Sequence, residues 1–518
     1  MTWQPEIEEL ERRKQLATLM GGEENVKRQH DGGKLTVRER IDGLIDPGSF
    51  AETGVLAGKP EYDDEGNLLS IRPANYVMGF ARIDGRRVVV GGDDFTIRGG
   101  AADASIGGKQ GYAEKMAREL RMPIVRFVDG TGGGGSVRSY TDVGRTYIPA
   151  NPVWDTVVDS LNEIPVIAAA MGSVAGLGAA RVVTAHWSII VKDTAQVFVA
   201  GPPVVLRGMG EDVKKEDLGG AQIHYHNGVC DNLAEDEEDA FRQIRRFLSY
   251  LPQNVWEQPR RAEPADDPSR REEMLLSAIP RNRRRPYRVR EILEAVLDRD
   301  SFFEIGGGWG TSVVTGFGRL DGFPVGVISN DPYQYGGGLT ADGSEKMERM
   351  VDLCDTFHIP AVNFLDQPGF VIGTAGEKAA TIRKGARVMT AVFQARVPWV
   401  TILMRRAFGV AGAAHANTAK LNLRYAWPSG DWGSLPLEGG IEAAYKRDLA
   451  NSPDPDGLRR QLEESMNAVR SPFRTAEAFG VEHIIDPRET RPILCEWVHQ
   501  AYEIAAHELG PRSHGYRP

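Results

Sequence analysis

Cysteine is scarce: the 518-residue chain has three, Cys230, Cys354 and Cys495, far apart and odd in number. That argues against a disulfide framework or a four-cysteine zinc site and fits a reducing compartment. An excess of positive charge is lacking too. With 62 Lys and Arg against 72 Asp and Glu, the formal net charge is −10, which offers no general surface for nucleic acid. No apolar run reaches the length of a membrane span, and the opening "MTWQPEIEELERRK" has no hydrophobic signal core. A cytoplasmic protein that does not engage membranes is expected. Also missing are a G-x-S-x-G elbow, a G-x-x-x-x-G-K-[ST] loop and an H-E-x-x-H helix; "GGKQG" at 107–111 lacks the phosphate-loop spacing. Hydrolase, nucleoside-triphosphatase and zincin readings lose their usual support.

What is present is glycine, 59 residues of it, and an internal repeat. "MGFARIDGRRVVVGGDDF" (78–95) lies on "TGFGRLDGFPVGVISNDP" (315–332), so that Asp84 and Gly85 meet Asp321 and Gly322. The same offset carries Lys109 onto Lys346, Pro123 onto Pro360 and Asp129 onto Asp366. After a short gap, "EIPVIAAAMGSVAGLGAA" (163–180) meets "RVPWVTILMRRAFGVAGAA" (396–414), and Gly176 falls on Gly409. Upstream, "VRERIDGLIDPGSF" (37–50) matches "VREILEAVLDRDSFFE" (289–304). Order and spacing kept over four blocks indicate one domain written twice. A stretch rich in proline and charge, 252–273, reads as connection. The expected division is an N-terminal domain at 1–250, a linker at 251–289 and a C-terminal domain at 290–518.

Within each half, short β-rich runs such as "PIVRFVD" and "PVIAAAM" alternate with stretches of helical character such as "KQGYAEKMAREL". The pattern predicts an α/β fold with backbone amides exposed where strands end and helices begin. Two glycine-rich turns per half stand at such places: 129–137 with 172–180, and 366–373 with 406–414. Small residues let the main chain approach a ligand closely and let N–H groups converge on one point. A convergence of that kind is an oxyanion hole, in which one donor is worth about 3 kcal/mol of barrier.

Other polar candidates read as structural. His224, His226 and Cys230 in "HYHNGVC" have no second ligand cluster, and His415 is a lone histidine among small residues. The acidic run 234–241 reads as the solvated start of an amphipathic helix. Two carbonyl-polarising holes, with no evident protein nucleophile or metal, suit proton abstraction beside a thioester followed by carboxyl transfer.

Specific motifs then carry a family likeness. "GGKLTVRERIDGLIDPGSF", "GPPVVLRGMGEDVKKEDLGGAQIH", "LSYLPQN" and "DGSEKMERMVDLCDTFHIPAVNFLDQPGF" followed by "IRKGARV" resemble, over nearly the whole chain, the carboxyltransferase (β) subunits of biotin-dependent acyl-CoA carboxylases, nearest the propionyl-CoA type. The resemblance implies two tandem crotonase-like ββα-superhelix domains, a homohexameric core, and a partner bearing biotin carboxylase and the biotin carboxyl carrier. It implies biotin carried covalently by that partner, coenzyme A as part of the substrate, and no metal in this chain. By position, the amides of Gly176 and Leu177 polarise the acyl-CoA thioester, beside Gly132, Gly133, Gly134 and Gly135. Those of Val410 and Ala411 hold the biotin ureido oxygen, beside Gly369, Phe370 and Gly409. The N-terminal domain then takes acyl-CoA, the C-terminal domain biotin.

The chain departs from the family pattern at informative places. Leu177 and Val410 stand where paired glycines are usual, which suits an N–H donor only if the backbone angle admits a side chain. Gly412 and Ala413 replace bulk that closes the acyl pocket in short-chain enzymes, which predicts an acyl group larger than acetyl or propionyl. Two alternatives stay open: a biotin-dependent acyl-CoA decarboxylase, which runs the same enolate chemistry in reverse, and a non-catalytic assembly scaffold.

Overall fold

The repeat "RIDG…RLDG" becomes a pair of tight β-hairpins. Asp84 and Gly85 both have positive φ (49° and 75°), and so do Asp321 and Gly322 (48° and 80°). Two consecutive left-handed residues are what a two-residue hairpin turn needs, and Asp-Gly supplies them at low cost. Each turn is clamped from outside in the same way. The Asp46 carboxylate accepts the N–H groups of Asp84 and Gly85 at 2.9 and 2.8 Å; the Asp298 carboxylate accepts those of Asp321 and Gly322 at 3.1 and 2.8 Å.

This computed structural model describes the chain apart from residues 1, 102–107, 131–139, 142–143, 147, 149, 152 and 422. Two compact units emerge: Met1–Glu257 with Ser513–Pro518, and Gln258–Arg512. In the first, seven strands stand side by side in chain order: Ala51–Glu52, Tyr76–Ile83, Arg86–Asp93, Ile124–Val128, Val166–Ala170, Trp187–Val191 and Asn232–Ala234. The first three pair antiparallel and the rest parallel. The parallel strands are buried along their whole length, which is why they read as continuous apolar runs without alternation. A separate parallel ladder joins Ser173–Ala175 to Gln196–Phe198.

The second unit repeats the plan with eight strands. Its central strand, Trp399–Phe408, pairs along its first half with Leu423–Ala426 and along its last residues with Asp431–Gly433. In the first unit the corresponding path is broken into Val166–Ala170 and Ser173–Ala175. Helix Val289–Val296 buries Val289, Ile292, Leu293 and Val296, the i, i+3, i+4, i+7 stripe of a helix lying on a core. They meet Val325, Val362, Phe364, Ile402 and Trp427, each such burial contributing about 1.5–3 kcal/mol. Among the described residues no helix is long and apolar enough to cross a membrane.

Candidate functional site

In both units the parallel strands point their carboxyl ends at the glycine turns, the edge where open α/β sheets take ligands. In the first unit, Ser173–Ala175 runs into Gly176, whose φ of 60° and ψ of −121° only glycine adopts without strain. Gly176 N–H donates to Phe198 O at 3.2 Å, so it closes the ladder. Helix Leu177–Val183 follows, and its first-turn amides, Leu177 and Gly178, have no acceptor within the helix. Of the expected donor pair, Leu177 therefore keeps an N–H for a ligand while that of Gly176 is engaged. Leu177 does not have positive φ, so its side chain fits the backbone, and it is 42% exposed.

That helix is anchored from below. Arg181, within it, reaches Glu114 at 3.3 Å, and Arg126 meets Glu114 at 2.8 Å, all three buried. Arg126 also donates to the carbonyls of Arg181 and Thr184 at 3.2 and 2.7 Å, capping the C-terminal end where the helix dipole favours a cation. Beside Gly176 opens a cavity of about 730 Å³, lined by Ala175, Phe198, Val199, Pro203 and Val204 among others. A second cavity of about 540 Å³ bears Arg28, Lys34, Arg98 and Lys215. Ser173 and Lys215 line both, so an apolar pocket and a basic one adjoin.

Asp129 closes the strand Ile124–Val128 and is wholly buried. Its carboxylate meets Lys34 at 3.0 Å and Arg40 at 2.8 Å, and Arg40 reaches on to Glu237 at 2.8 Å. Burial works to raise the Asp129 pKa, but Arg40 and Lys34 outweigh it and hold it below the ordinary value. Asp93, nearby, is pushed up to about 6 by burial, which outweighs the opposing charge of Arg181, and the charge of Asp129 adds to the rise. The expected ligand-lining residues Gly132, Gly133, Gly134 and Gly135 lie outside the described residues.

In the second unit, strand Trp399–Phe408 runs into Gly409, with φ of 62°, and helix Gly409–Ala413. Val410 does not have positive φ either, and it is 51% exposed. Ala411 and Gly412 are buried, while Ala413 is exposed. Gly412 leaves no open space: a β-carbon there would stand 2.7 Å from the Ala407 carbonyl carbon. The neighbouring turn is pinned. Gly369, at φ 121°, donates its N–H to Gln367 Oε1 at 3.0 Å and accepts Leu339 N–H at 2.9 Å. The Phe370 ring fills the place a β-carbon on Gly385 would take.

Beneath both turns sits Asp366, wholly buried. It accepts from Arg405 Nη2 at 2.8 Å, Arg406 Nε at 2.6 Å and Tyr287 OH at 3.0 Å. Burial works to raise its pKa; hydrogen bonds and charge from Arg406 and Arg405 prevail and hold it low.

The remaining candidates take structural places. His224 Nε2 lies 2.6 Å from Val197 O, and His226 Nδ1 2.7 Å from Gln222 O; Cys230 is buried. His415 Nδ1 lies 2.8 Å from Gly412 O, and its own carbonyl accepts from Asn363, Trp399 and Thr401. The reading of the acidic run fails in detail, as that of Gly412 does. The acidic run does start a helix, Glu237–Tyr250, capped by Asp236, but Glu237 is buried against Arg40 instead of solvated, because Arg40 needs a second anion.

The ion clusters under the turns went unassigned in the sequence. A signal existed: Asp129 and Asp366 coincide in the repeat, and Arg405-Arg406 interrupts the apolar run "WVTILM", as buried charges with partners do.

Residues 28–516 match the carboxyl transferase domain model. A propionyl-CoA carboxylase carboxyltransferase subunit from Haloferax mediterranei is 34% identical over 501 residues, covering 95% of each chain. Methylmalonyl-CoA decarboxylase subunit alpha from Veillonella parvula is 32% identical, again over 95% of each. Among solved structures, the transcarboxylase 12S hexamer assembly with methylmalonyl-coenzyme A bound superposes with a TM-score of 0.87 at 29% identity, covering 100% of this chain and 98% of that one. The expected α/β architecture of two crotonase-like domains holds.

Proposed function

The chain belongs to the carboxyl transferase domain family, and on that premise we propose that it is the carboxyltransferase subunit of a biotin-dependent acyl-CoA carboxylase. One observation carries the reading: each unit presents, at the carboxyl edge of its parallel strands, a positive-φ glycine followed by a helix's first-turn amides. In the first unit that turn opens on an apolar cavity adjoining a basic one. Such a site suits an acyl thioester whose far end carries phosphates.

Leu177 N–H, joined by that of Gly178, holds the thioester oxygen as it gains charge on loss of the α-proton. Oriented donors in a site partly closed to water favour that charge over the neutral ground state. Arg28, Lys34, Arg98 and Lys215 face the phosphates of coenzyme A. The unit-2 turn suits a ureido oxygen: Val410 and Ala411 supply amides, and Gly409 has no β-carbon to crowd them, the nearest atom to such a carbon being Ser434 O at 3.3 Å. Carboxybiotin, carried by a partner with biotin carboxylase, supplies the carboxyl group and then a ring nitrogen to accept the α-proton. Gly369 and Phe370 shape the wall of that turn, and Gly132, Gly133, Gly134 and Gly135 the acyl side. No protein nucleophile is required, which accounts for segments so poor in reactive side chains. The working assembly is a cytoplasmic homohexamer with the biotinylated partner.

For the acyl group we favour one larger than propionyl. Support comes from the apolar cavity beside Gly176 and from Ala413, which is exposed with only a methyl group; Gly412 contributes nothing, being packed on Ala407. The test is labelled bicarbonate fixation by the chain reconstituted with its biotinylated partner, ATP and acyl-CoAs of increasing size. Acid-stable label, best with a longer or branched acyl chain and shifted to shorter ones by Ala413→Tyr, is expected. Propionyl-CoA as best substrate, unmoved by that change, contradicts the size assignment.

A second reading, decarboxylation, keeps every contact and reverses the flux, and the Veillonella relative favours it. Free biotin carboxylated from a malonyl-type CoA, with no ATP-driven fixation in the reconstituted complex, would select it.

A further inference from the structure

Helix Gly409–Ala413, whose amides are assigned to biotin, is too short to hold its own direction. The first four N–H groups of any helix lack a partner within it, so five residues leave almost no internal hydrogen bonding. The direction must be fixed from outside, at both ends. At the entrance, strand Trp399–Phe408 and the positive φ of Gly409 fix it. At the exit, the Gly412 carbonyl oxygen lies 2.8 Å from His415 Nδ1 and also accepts the His415 main-chain N–H at 3.3 Å.

The first unit shows what that contact replaces. There Arg126 reaches from its strand to the carbonyls of Arg181 and Thr184, at the end of the corresponding helix. The repeat carries Arg126 onto Asn363: Gly91 stands opposite Arg126 in one sheet, and Ile328 opposite Asn363 in the other. Asparagine is shorter, and Asn363 Nδ2 donates to the His415 carbonyl instead, at 3.0 Å. Trp399 Nε1 and Thr401 Oγ1 join it on the same oxygen, at 2.9 and 3.2 Å. His415 is thus tied to two strands by its main chain and to the helix by its ring.

Only one nitrogen of that ring is used. A carbonyl oxygen can only accept, so Nδ1 carries the proton. Nε2 is buried and has no hydrogen-bond partner among the described residues. A buried nitrogen left bare costs stability. Packing alone would favour an apolar side chain here, and the contact with Gly412 accounts for a histidine.

We propose that His415 is a positioning residue: through Gly412 it sets the direction in which the Val410 and Ala411 amides meet the ureido oxygen of biotin. The inference rests on the function proposed above. Misplacing such donors by about 1 Å is enough to slow a reaction about a hundredfold.

The test compares His415→Asn with His415→Gln in the full chain. The amide nitrogen of asparagine stands where Nδ1 does and keeps the contact; that of glutamine stands where Nε2 does and loses it. His415→Leu, which removes both nitrogens and fills the same space, serves if the Gln variant does not fold. Carboxyl transfer from a malonyl-type CoA to free biotin should fall about tenfold or more in the Gln and Leu variants, with a raised KM for biotin. The KM for the CoA ester, which the first unit binds, stays as in the wild type, and the Asn variant keeps wild-type kinetics. Equal kinetics for the Asn and Gln variants overturn the proposal. So does a loss shared equally by the two KM values, as a merely structural histidine would give. Amide hydrogen exchange over residues 409–416 decides the role of His415 separately from the chemistry: it should quicken in the Gln and Leu variants and not in the Asn variant. Equal exchange in wild type, Gln and Leu would count against His415. Absence of transfer to free biotin by the wild-type chain, with exchange as expected, would count against the function.

Discussion

Gly176 and Gly409 share one backbone angle, φ 60° and 62°, and each hands the chain to a short helix whose next residue is an exposed aliphatic side chain. The duplication is thus kept at these two turns, down to the positive φ of the glycine and the exposed side chain after it.

Gly409→Ala tests the angle itself. A residue with a β-carbon at φ 62° costs about 1–2 kcal/mol, and the new carbon would meet Ser434 O at 3.3 Å. Thermal melts should show a modest loss of stability, and carboxyl transfer should fall much further than that loss explains. Unchanged transfer would detach this turn from biotin.

Asp366→Asn should cost about 3–5 kcal/mol in denaturant unfolding, because it strands the buried Arg405 and Arg406 without their counter-charge. A loss under 1 kcal/mol would mean the cluster is not what holds the second turn.

Asp93 gives a pH signature of the opposite sign to the paired carboxylates. Its pKa rises from 3.8 unfolded to about 6 folded, so the folded state binds the extra proton between those values. Stability from this group is present below about pH 4 and is lost as pH climbs through 6, by about 3 kcal/mol in all. Melts of wild type and Asp93→Asn across pH 4–8 isolate it: the variant should gain on the wild type as pH rises. A difference that stays flat would refute the assignment.

Much of this was legible beforehand, and the reasons are local. Asp84-Gly85 and Asp321-Gly322 announce hairpins because few other pairs enter two left-handed positions in a row. The strands read as strands because burial on both faces leaves no polar alternation. Three things were hidden. That Gly176 N–H closes a ladder with Phe198 depends on a strand twenty residues away. That Gly412 packs on Ala407, and so opens no room, depends on the path of the helix. The networks Glu114–Arg126–Arg181 and Asp129–Arg40–Glu237 join residues far apart in sequence, where spacing carries no information. The departures at Leu177 and Val410 put no side chain at a strained angle, because the positive φ sits one residue earlier, on the glycine.

The measurement that bears most directly on catalysis by backbone amides is labelled bicarbonate fixation by Leu177→Pro beside Leu177→Gly. Proline at the first helical position is tolerated by the fold and removes one N–H; glycine keeps it. Leu177→Gly should retain transfer, while Leu177→Pro should fold, leave carboxylation of the partner's biotin intact and lose about 10²–10³ in kcat. Full transfer by Leu177→Pro would contradict a role for that amide and, with it, the oxyanion hole placed here.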